Sequence, residues 1–488
     1  MSLTRKVAFN TITQLVGKIL NLGITFVLVA LLTRNLGVAG YGQFTLAFSI
    51  VTFFAVFADF GFFTILVREL SAEKHDQEKI ANNILTLRTI IAAIIFLFAY
   101  IIAQFINNYD PVVRHAILFT ATAQFILAVQ QTIAGIFQAK FRIDKAVVSD
   151  IVGKILIVAL VYLYLQRSID FQGVIKIYIV GNFVTFALTF FQARQFIRIK
   201  PAFDFSFWKY VLRNSISISI LLILSTIYFR NDMMILGIFK SSVDVGIYGV
   251  AYKVFEVLIS FPTFFLGASF PIFSKYIADK ERMKGIFQKS LEFMVILSVP
   301  LTFGGMFFAS KIIGIIGGGE FLHSSTINLF GQPMTSVNAL QILMSGMFFM
   351  FLTNLFNYII LASNRQKILI LPNICFLVFN LSLNLILIPK YSYIAGAFTT
   401  ALSELVIFIT TWFVLSKQFD YKFESLSIIW KASLSALVML VVANAFIALN
   451  FFIVLPICAV IYFLTLSLLG GIKKDIFKEL FKSQSLNN

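Results

Sequence analysis

Thr11, Gln14, Lys18, Asn21 and Thr25 recur at spacings of three, four, three and four within the apolar run Ala8–Leu32. That rhythm predicts a helix with one polar stripe down one face. The run is about 25 residues long, enough to cross a bilayer core with some tilt. A lysine near the middle of such a helix costs about 3 kcal/mol facing lipid on insertion scales. The stripe is therefore expected to face a wet interior, and an interior holding a cation suits an anionic substrate. Lys18 would compensate the charge, while Gln14 and Asn21 would replace water around polar groups.

Three more cations lie inside apolar runs, Arg88, Lys154 and Lys253, and join Lys18 as candidate substrate-binding residues. For Arg88 and Lys154 the competing reading is snorkelling to the nearer interface. Lys253 has Glu256 three residues on, so a local ion pair competes there. The in-span acids Asp59, Glu292 and Glu404 are candidates for ion coupling, since a desolvated carboxylate can exchange protons. Thr45, Ser49, Thr52 and Asp59 share a face of the second run. Gln124, Gln131 and Gln138 repeat at seven along the fourth, and Asn373, Asn380 and Asn384 share a face of the eleventh. Such groups more commonly serve as bonds between helices. Arg34 and Arg230, near span ends, read as headgroup anchors.

No catalytic or metal constellation emerges. Cys375 and Cys458 lie in apolar runs without metal or redox spacing and read as small core residues. His75, His115 and His323 lie far apart. GIIGGGEF at 314–321 is rich in glycine but lacks the lysine and hydroxyl of a P-loop, so a flexible turn is expected.

The elements that must position these groups follow from composition. The chain is 59% hydrophobic and 12% charged, with mean hydropathy +0.92, which places it among polytopic membrane proteins. Apolar runs give fourteen candidate spans. With the N-terminus inside, inner segments carry 27 Lys and Arg, outer segments 8 and spans 4, accounting for all 39. Both termini are therefore expected to be cytoplasmic. The first run is too long for a cleavable signal and is expected to stay as an anchor. The net charge of +17 sits in short loops, which argues against a nucleic-acid partner. The segment YGQFTLA at 41–47 matches VGIYGVA at 245–251, with Gly42 on Gly246, Phe44 on Tyr248 and Ala47 on Ala251. The expected architecture is all-α, with two pseudosymmetric six-helix lobes, 1–206 and 207–420, around a midplane cavity. Residues 421–488 would add two transmembrane helices and a cytoplasmic tail.

LGVAGYGQFTLAFSIVTFFAVFADFGFFTILVREL at 36–70 resembles the second-span signature of bacterial polysaccharide exporters of the Wzx flippase type. NDMMILGIFKSSVDVGIYGVAYKVFEVL at 231–258, PIFSK at 271–275 and LSLNLILIPKYSYIAGAFTTALSE at 381–404 resemble further segments of that family. The family belongs with the multidrug and oligosaccharidyl-lipid exporters. The resemblance implies a V-shaped fold, alternating access, and transfer of an undecaprenyl-diphosphate-linked oligosaccharide from the cytoplasmic to the outer leaflet of a bacterial inner membrane. It also implies membrane lipids, a polysaccharide polymerase and a chain-length regulator as partners. No cofactor is expected beyond coupling H+ or Na+. A cation-coupled multidrug exporter and a lipid II flippase are the alternatives of similar fold. The in-span cations argue against the first, and composition does not exclude the second. A membrane polymerase or ligase would need a large outer loop or paired catalytic residues, and the chain has neither.

Overall fold

The computed structural model describes residues 3–72, 76–106, 109–419 and 427–472. Those residues are almost wholly helical, as bilayer-spanning backbone must be when no water can satisfy its N–H and C=O groups. In order the helices are α1 (Leu3–Asp59), α2 (Phe62–Ser71), α3 (Gln77–Gln104), α4 (Pro111–Ala139), α5 (Ile143–Leu165), α6 (Phe171–Ala193), α7 (Phe205–Phe239) and α8 (Ser242–Leu258). They continue as α9 (Phe261–Tyr276), α10 (Lys280–Phe307), α11 (Ala309–Gly317), α12 (Gly319–His323), α13 (Ser336–Ala362), α14 (Ile370–Phe419), α15 (Ser427–Ala445) and α16 (Phe451–Leu468). A two-residue hairpin, β1 (Asn328–Leu329) with β2 (Gln332–Pro333), lies between α12 and α13.

Twelve stretches among the described residues are long and apolar enough to cross a membrane. Two of them run much longer than one crossing: Ile12–Ser71 with 60 residues and Lys367–Gln418 with 52. At 1.5 Å per residue each exceeds twice the hydrocarbon thickness. Each also contains a break, at Gly37 (φ 67°, ψ −176°) in α1 and at Ser392 (φ 48°, ψ −136°) in α14. Divided there, they supply the fourteen crossings that the apolar runs predict.

The chain forms two compact units. One comprises the described residues of Met1–Gly249 with Ile316–Thr326 and Ile388–Ser392, and the other holds the rest. In the first, Phe62, Ile65 and Leu66 of α2 pack with Ile80 and Ile84 of α3, Ile133 and Phe137 of α4, and Val211 of α7. Lipid gives helices little hydrophobic reason to associate, so polar bonds between them carry weight. Gln130 donates to Thr189 at 3.1 Å, and Asn182 donates to the Ala123 carbonyl at 2.9 Å. In the second unit α10 packs on α13 through fully buried Leu291, Met294, Leu343 and Met347, and the Tyr462 hydroxyl donates to the Ile296 carbonyl at 2.9 Å.

A close backbone-to-backbone approach in the first unit joins the two segments that the repeat matches. A Cβ on Gly42 would overlap the Ser242 carbonyl oxygen and stand 2.9 Å from the Gly246 nitrogen. A Cβ on Gly246 would overlap the Val38 carbonyl oxygen. Val38 stands to Gly42 as Ser242 stands to Gly246, so the contact is reciprocal, as at a two-fold axis. One turn on, Gly249 meets its repeat counterpart Thr45, whose Cγ2 would lie 3.1 Å from an added Cβ.

Two acids fix the surroundings of this crossing. At the Gly37 break the Val38 N–H donates to Glu320 Oε1 at 3.1 Å, and Thr33 donates to the Ile316 carbonyl at 2.6 Å. The glycine-rich run 314–321 is therefore not the flexible turn expected. It forms the end of α11 and the start of α12, joined at Gly318 (φ 76°) and anchored by Glu320. Asp244 is 4% exposed and accepts from Ser241 in an α8 capping arrangement, from Thr326 at 2.5 Å and from Ser392 at 2.5 Å.

The crossing makes a double-variant test possible. Gly42→Ala and Gly246→Ala are each expected to cost about 2 kcal/mol, because a backbone carbonyl cannot yield as a side-chain end can. The pair is expected to cost less than the sum, since the first substitution already separates the helices. Thermal melting of the purified protein in detergent reads both effects, and strict additivity would contradict the shared contact.

Candidate functional site

Polar groups inside the spans gather in three places. The first is the seam between α1 and α5. Asn21 Nδ2 donates to Asp150 Oδ2 at 2.8 Å, and Lys154 Nζ meets the same oxygen at 3.0 Å. Gln14 and Asn21 are half-buried on α1, and Lys18 is exposed between them. The Thr25 hydroxyl turns back to the Asn21 carbonyl at 2.7 Å. The side chain of Thr11 lies outside the described residues, as do His75 and the basic tail from Lys473. The helix thus carries the polar stripe that the spacing predicts. Lys154 lies one turn past Asp150 and pairs with it, its side chain 37% exposed.

The second place is the end of α1. The helix stops at Asp59, where Phe60 (φ 42°) and Gly61 (φ 74°) turn left-handed before α2 begins. Asp59 Oδ1 meets Arg88 Nη2 at 2.8 Å, with the arginine side chain 3% exposed and the aspartate 28%. Arg88 Nε and Nη1 have no hydrogen-bond partner among the described residues. Snorkelling is excluded for Arg88 by its burial; the guanidinium stays among the helices because an acid meets it there. The Phe60 carbonyl, released by the break, accepts from Ser219 at 2.8 Å.

The third lies in the second unit. Lys253 pairs with Glu256 at 2.7 Å, the local pair anticipated from their spacing. Glu292 is 7% exposed and accepts from Gln288 at 3.1 Å. Along α14, Asn384 donates to Asn380 at 3.1 Å, Asn380 to Ser403 at 2.9 Å, and Thr399 to Asn384. Glu404, 3% exposed, follows Ser403 directly. Of the three candidate coupling acids, Glu292 and Glu404 are buried and Asp59 is half-buried against an arginine.

Other expectations fare unevenly. Gln131 and Gln138 are exposed and Gln124 is half-buried, whereas the neighbouring Gln130 makes the buried bond. Cys458 is buried, but Cys375 is exposed. Asp150, Asp244 and Glu320 are polar anchors that the sequence reading missed. Asp150 could have been found from its i,i+4 spacing to Lys154, and Asp244 from the Ser-x-x-Asp box with Ser241. Glu320 carries no such signal, because its partner is 282 positions away in the chain.

These features are those of a multi-span transporter: broken helices, in-span ion pairs and a repeat meeting at its own axis. The profile of the polysaccharide biosynthesis protein family matches residues 7–277, and the chain belongs to that family. The MatE profile matches residues 218–386. A probable low-salt glycan biosynthesis flippase, Agl15 of Haloferax volcanii, is 24% identical over 439 residues, which is 88% of each chain. Among solved structures, the inward closed conformation of the lipid II flippase MurJ is similar with TM-score 0.74 at 16% identity. The match covers 97% of this chain and 99% of that one. An inward-facing multidrug resistance transporter of the MATE family gives TM-score 0.63 at 12% identity, covering 81% and 94%. The chain is therefore a polytopic member of the polysaccharide biosynthesis family that shares its fold with these flippase and transporter structures.

Removing one partner of a buried ion pair strands the other. Arg88→Leu is expected to lower stability by about 3 kcal/mol, and Asp59→Leu/Arg88→Leu to recover most of that loss. Chemical or thermal unfolding of the purified variants measures this; equal losses in single and double variants would mean that the pair does not hold the break.

Proposed function

We propose that this protein moves an undecaprenyl-diphosphate-linked oligosaccharide from the cytoplasmic to the outer leaflet of a bacterial inner membrane, in the assembly of a surface polysaccharide. The observation that carries the proposal is the polar seam of α1 and α5. It sets Lys18, Asn21 and Lys154 inside apolar helices, with a single acid, Asp150, among them. A diphosphate needs cations in a low-dielectric passage, and a sugar needs amides in place of water. Membership of a polysaccharide biosynthesis family supplies the glycan.

Both termini lie in the cytoplasm in this proposal, and lobes 1–206 and 207–420 rock to alternate access while 421–488 stands outside the repeat. Glu292 and Glu404, buried and within spans, exchange the coupling H+ or Na+. The polymerase and chain-length regulator act downstream. The MatE match over 218–386 favours a second reading, export of cationic drugs. That reading would place acids rather than cations along the passage.

Deleting the gene and profiling glycans tests the proposal. The expected result is loss of one surface polymer with its undecaprenyl-linked repeat unit accumulating. Unchanged glycans with new sensitivity to cationic drugs would establish the second reading. In the complemented strain, Lys18→Ala is expected to abolish polymer export with insertion intact, and Lys18→Arg to retain part of it; normal polymer with Lys18→Ala would remove Lys18 from the passage.

A further inference from the structure

Helices α1 and α5 close on each other at one end and part at the other. Asn10 bridges them at the closed end, donating to the Phe141 carbonyl at 2.9 Å and accepting from the Ile143 N–H at 3.2 Å. Gly17 then lets Val147 in, with Cγ1 2.6 Å from where a Cβ would stand. The bond from Asn21 to Asp150 is the next rung of this ladder. Two residues further, a Cβ on Gly23 would meet nothing within 4 Å. Around it a cavity of about 680 Å³ opens between the helices. Ile19, Leu20, Ile24, Val27 and Leu31 line it from α1, and Ile155, Val158 and Tyr162 from α5. From Ile19 to Leu31 it runs about 18 Å along the helix, over half the thickness of a bilayer core.

We infer that this wedge seats the isoprenoid chain of the lipid-linked substrate while its diphosphate lies against Lys18, Asn21 and Lys154. The inference rests on the function proposed above and adds where the lipid is held. Two observations select the occupant. Every side chain along the wedge is apolar save the Tyr162 hydroxyl, so it accepts a hydrocarbon chain and no headgroup. At the Ile19 end, Asn21 follows the lining residue Leu20 and Lys154 precedes the lining residue Ile155, so the polar seam stands level with that end of the wedge. Lys18 and Lys154 against Asp150 leave a net positive charge there, which complements a diphosphate at the head of the chain. The ordering of apolar trough and cationic base matches the ordering of tail and diphosphate in one molecule. Gly23 is the notch that keeps the trough open.

The test uses full-length protein in phosphatidylethanolamine–phosphatidylglycerol vesicles containing a radiolabelled undecaprenyl-diphosphate oligosaccharide. A benzophenone side chain placed at Tyr162 is expected to capture the label. Unlabelled lipid-linked oligosaccharide should compete, and the free oligosaccharide should not. A benzophenone at Val441 on α15, which is 71% exposed, is the control and is expected to capture phospholipid alone. Capture of phospholipid alone at Tyr162 would overturn the inference. In the same vesicles Gly23→Trp fills the wedge and is expected to slow transfer at least tenfold with an unchanged melting temperature, while Val441→Trp leaves the rate unaltered. If the unsubstituted protein transfers the label and Gly23→Trp transfers it equally, the wedge assignment falls and the function stands. If the unsubstituted protein transfers none, the functional reading itself falls.

Discussion

Two helix backbones touch at Gly42 and Gly246, with no room for a side chain on either. The second half of α1 cannot take another course past α8 without losing that contact. Its course is fixed from the preceding break as well, where Gly37 turns left-handed and Glu320 accepts the first free N–H beyond it. Asp244 then ties the start of α8 to Thr326 and Ser392, drawing two segments from far along the chain onto the same unit. Helix packing here depends on small residues and hydrogen-bonded carboxylates because lipid offers no hydrophobic penalty for separation. The reciprocity of the Gly42–Gly246 contact also gives the internal repeat a physical meaning: equivalent residues meet their own counterparts.

A second constraint governs charge. A cation within hydrocarbon must find an acid or water. Arg88, Lys154 and Lys253 each have an acid within 3.0 Å, on another helix for Arg88 and on the same helix for the two lysines. The local pairs cost the fold little to assemble, since residues three and four apart already face each other. The Asp59–Arg88 pair is different, because it spans two helices at a left-handed break and leaves part of the guanidinium without a hydrogen bond among the described residues. A seam such as Asn21–Asp150–Lys154, with one acid shared between an amide and an amine, holds its polar groups without saturating them.

Much of this was legible in the sequence, for identifiable reasons. Apolar run length gives the spans because backbone hydrogen bonding leaves helices as the only structure for them. The stripe of Gln14, Lys18 and Asn21 is legible because helical periodicity is local. The Gly42–Gly246 match is legible because both halves kept the small residue their contact needs. What escaped was long-range: Glu320 reaching Val38, and Arg88 meeting Asp59 rather than the interface. The glycine-rich run misled for the same reason, since its composition reads as a turn while a distant helix end recruits its glutamate. Amide periodicity along α4 also misled, because the buried bond falls to Gln130, one position off the seven-residue repeat.

The central claim is that the chain carries lipid-linked glycan across a bilayer, and the most direct measurement is leaflet exchange by the purified protein. Proteoliposomes are loaded with a fluorescent undecaprenyl-diphosphate oligosaccharide, and an enzyme outside the vesicles cleaves whatever glycan it can reach. Vesicles without protein should protect about half of the label, and vesicles with protein should lose that protection over time. Persistent protection, together with uptake of a cationic dye by the same vesicles, would contradict the account and make the protein a drug exporter.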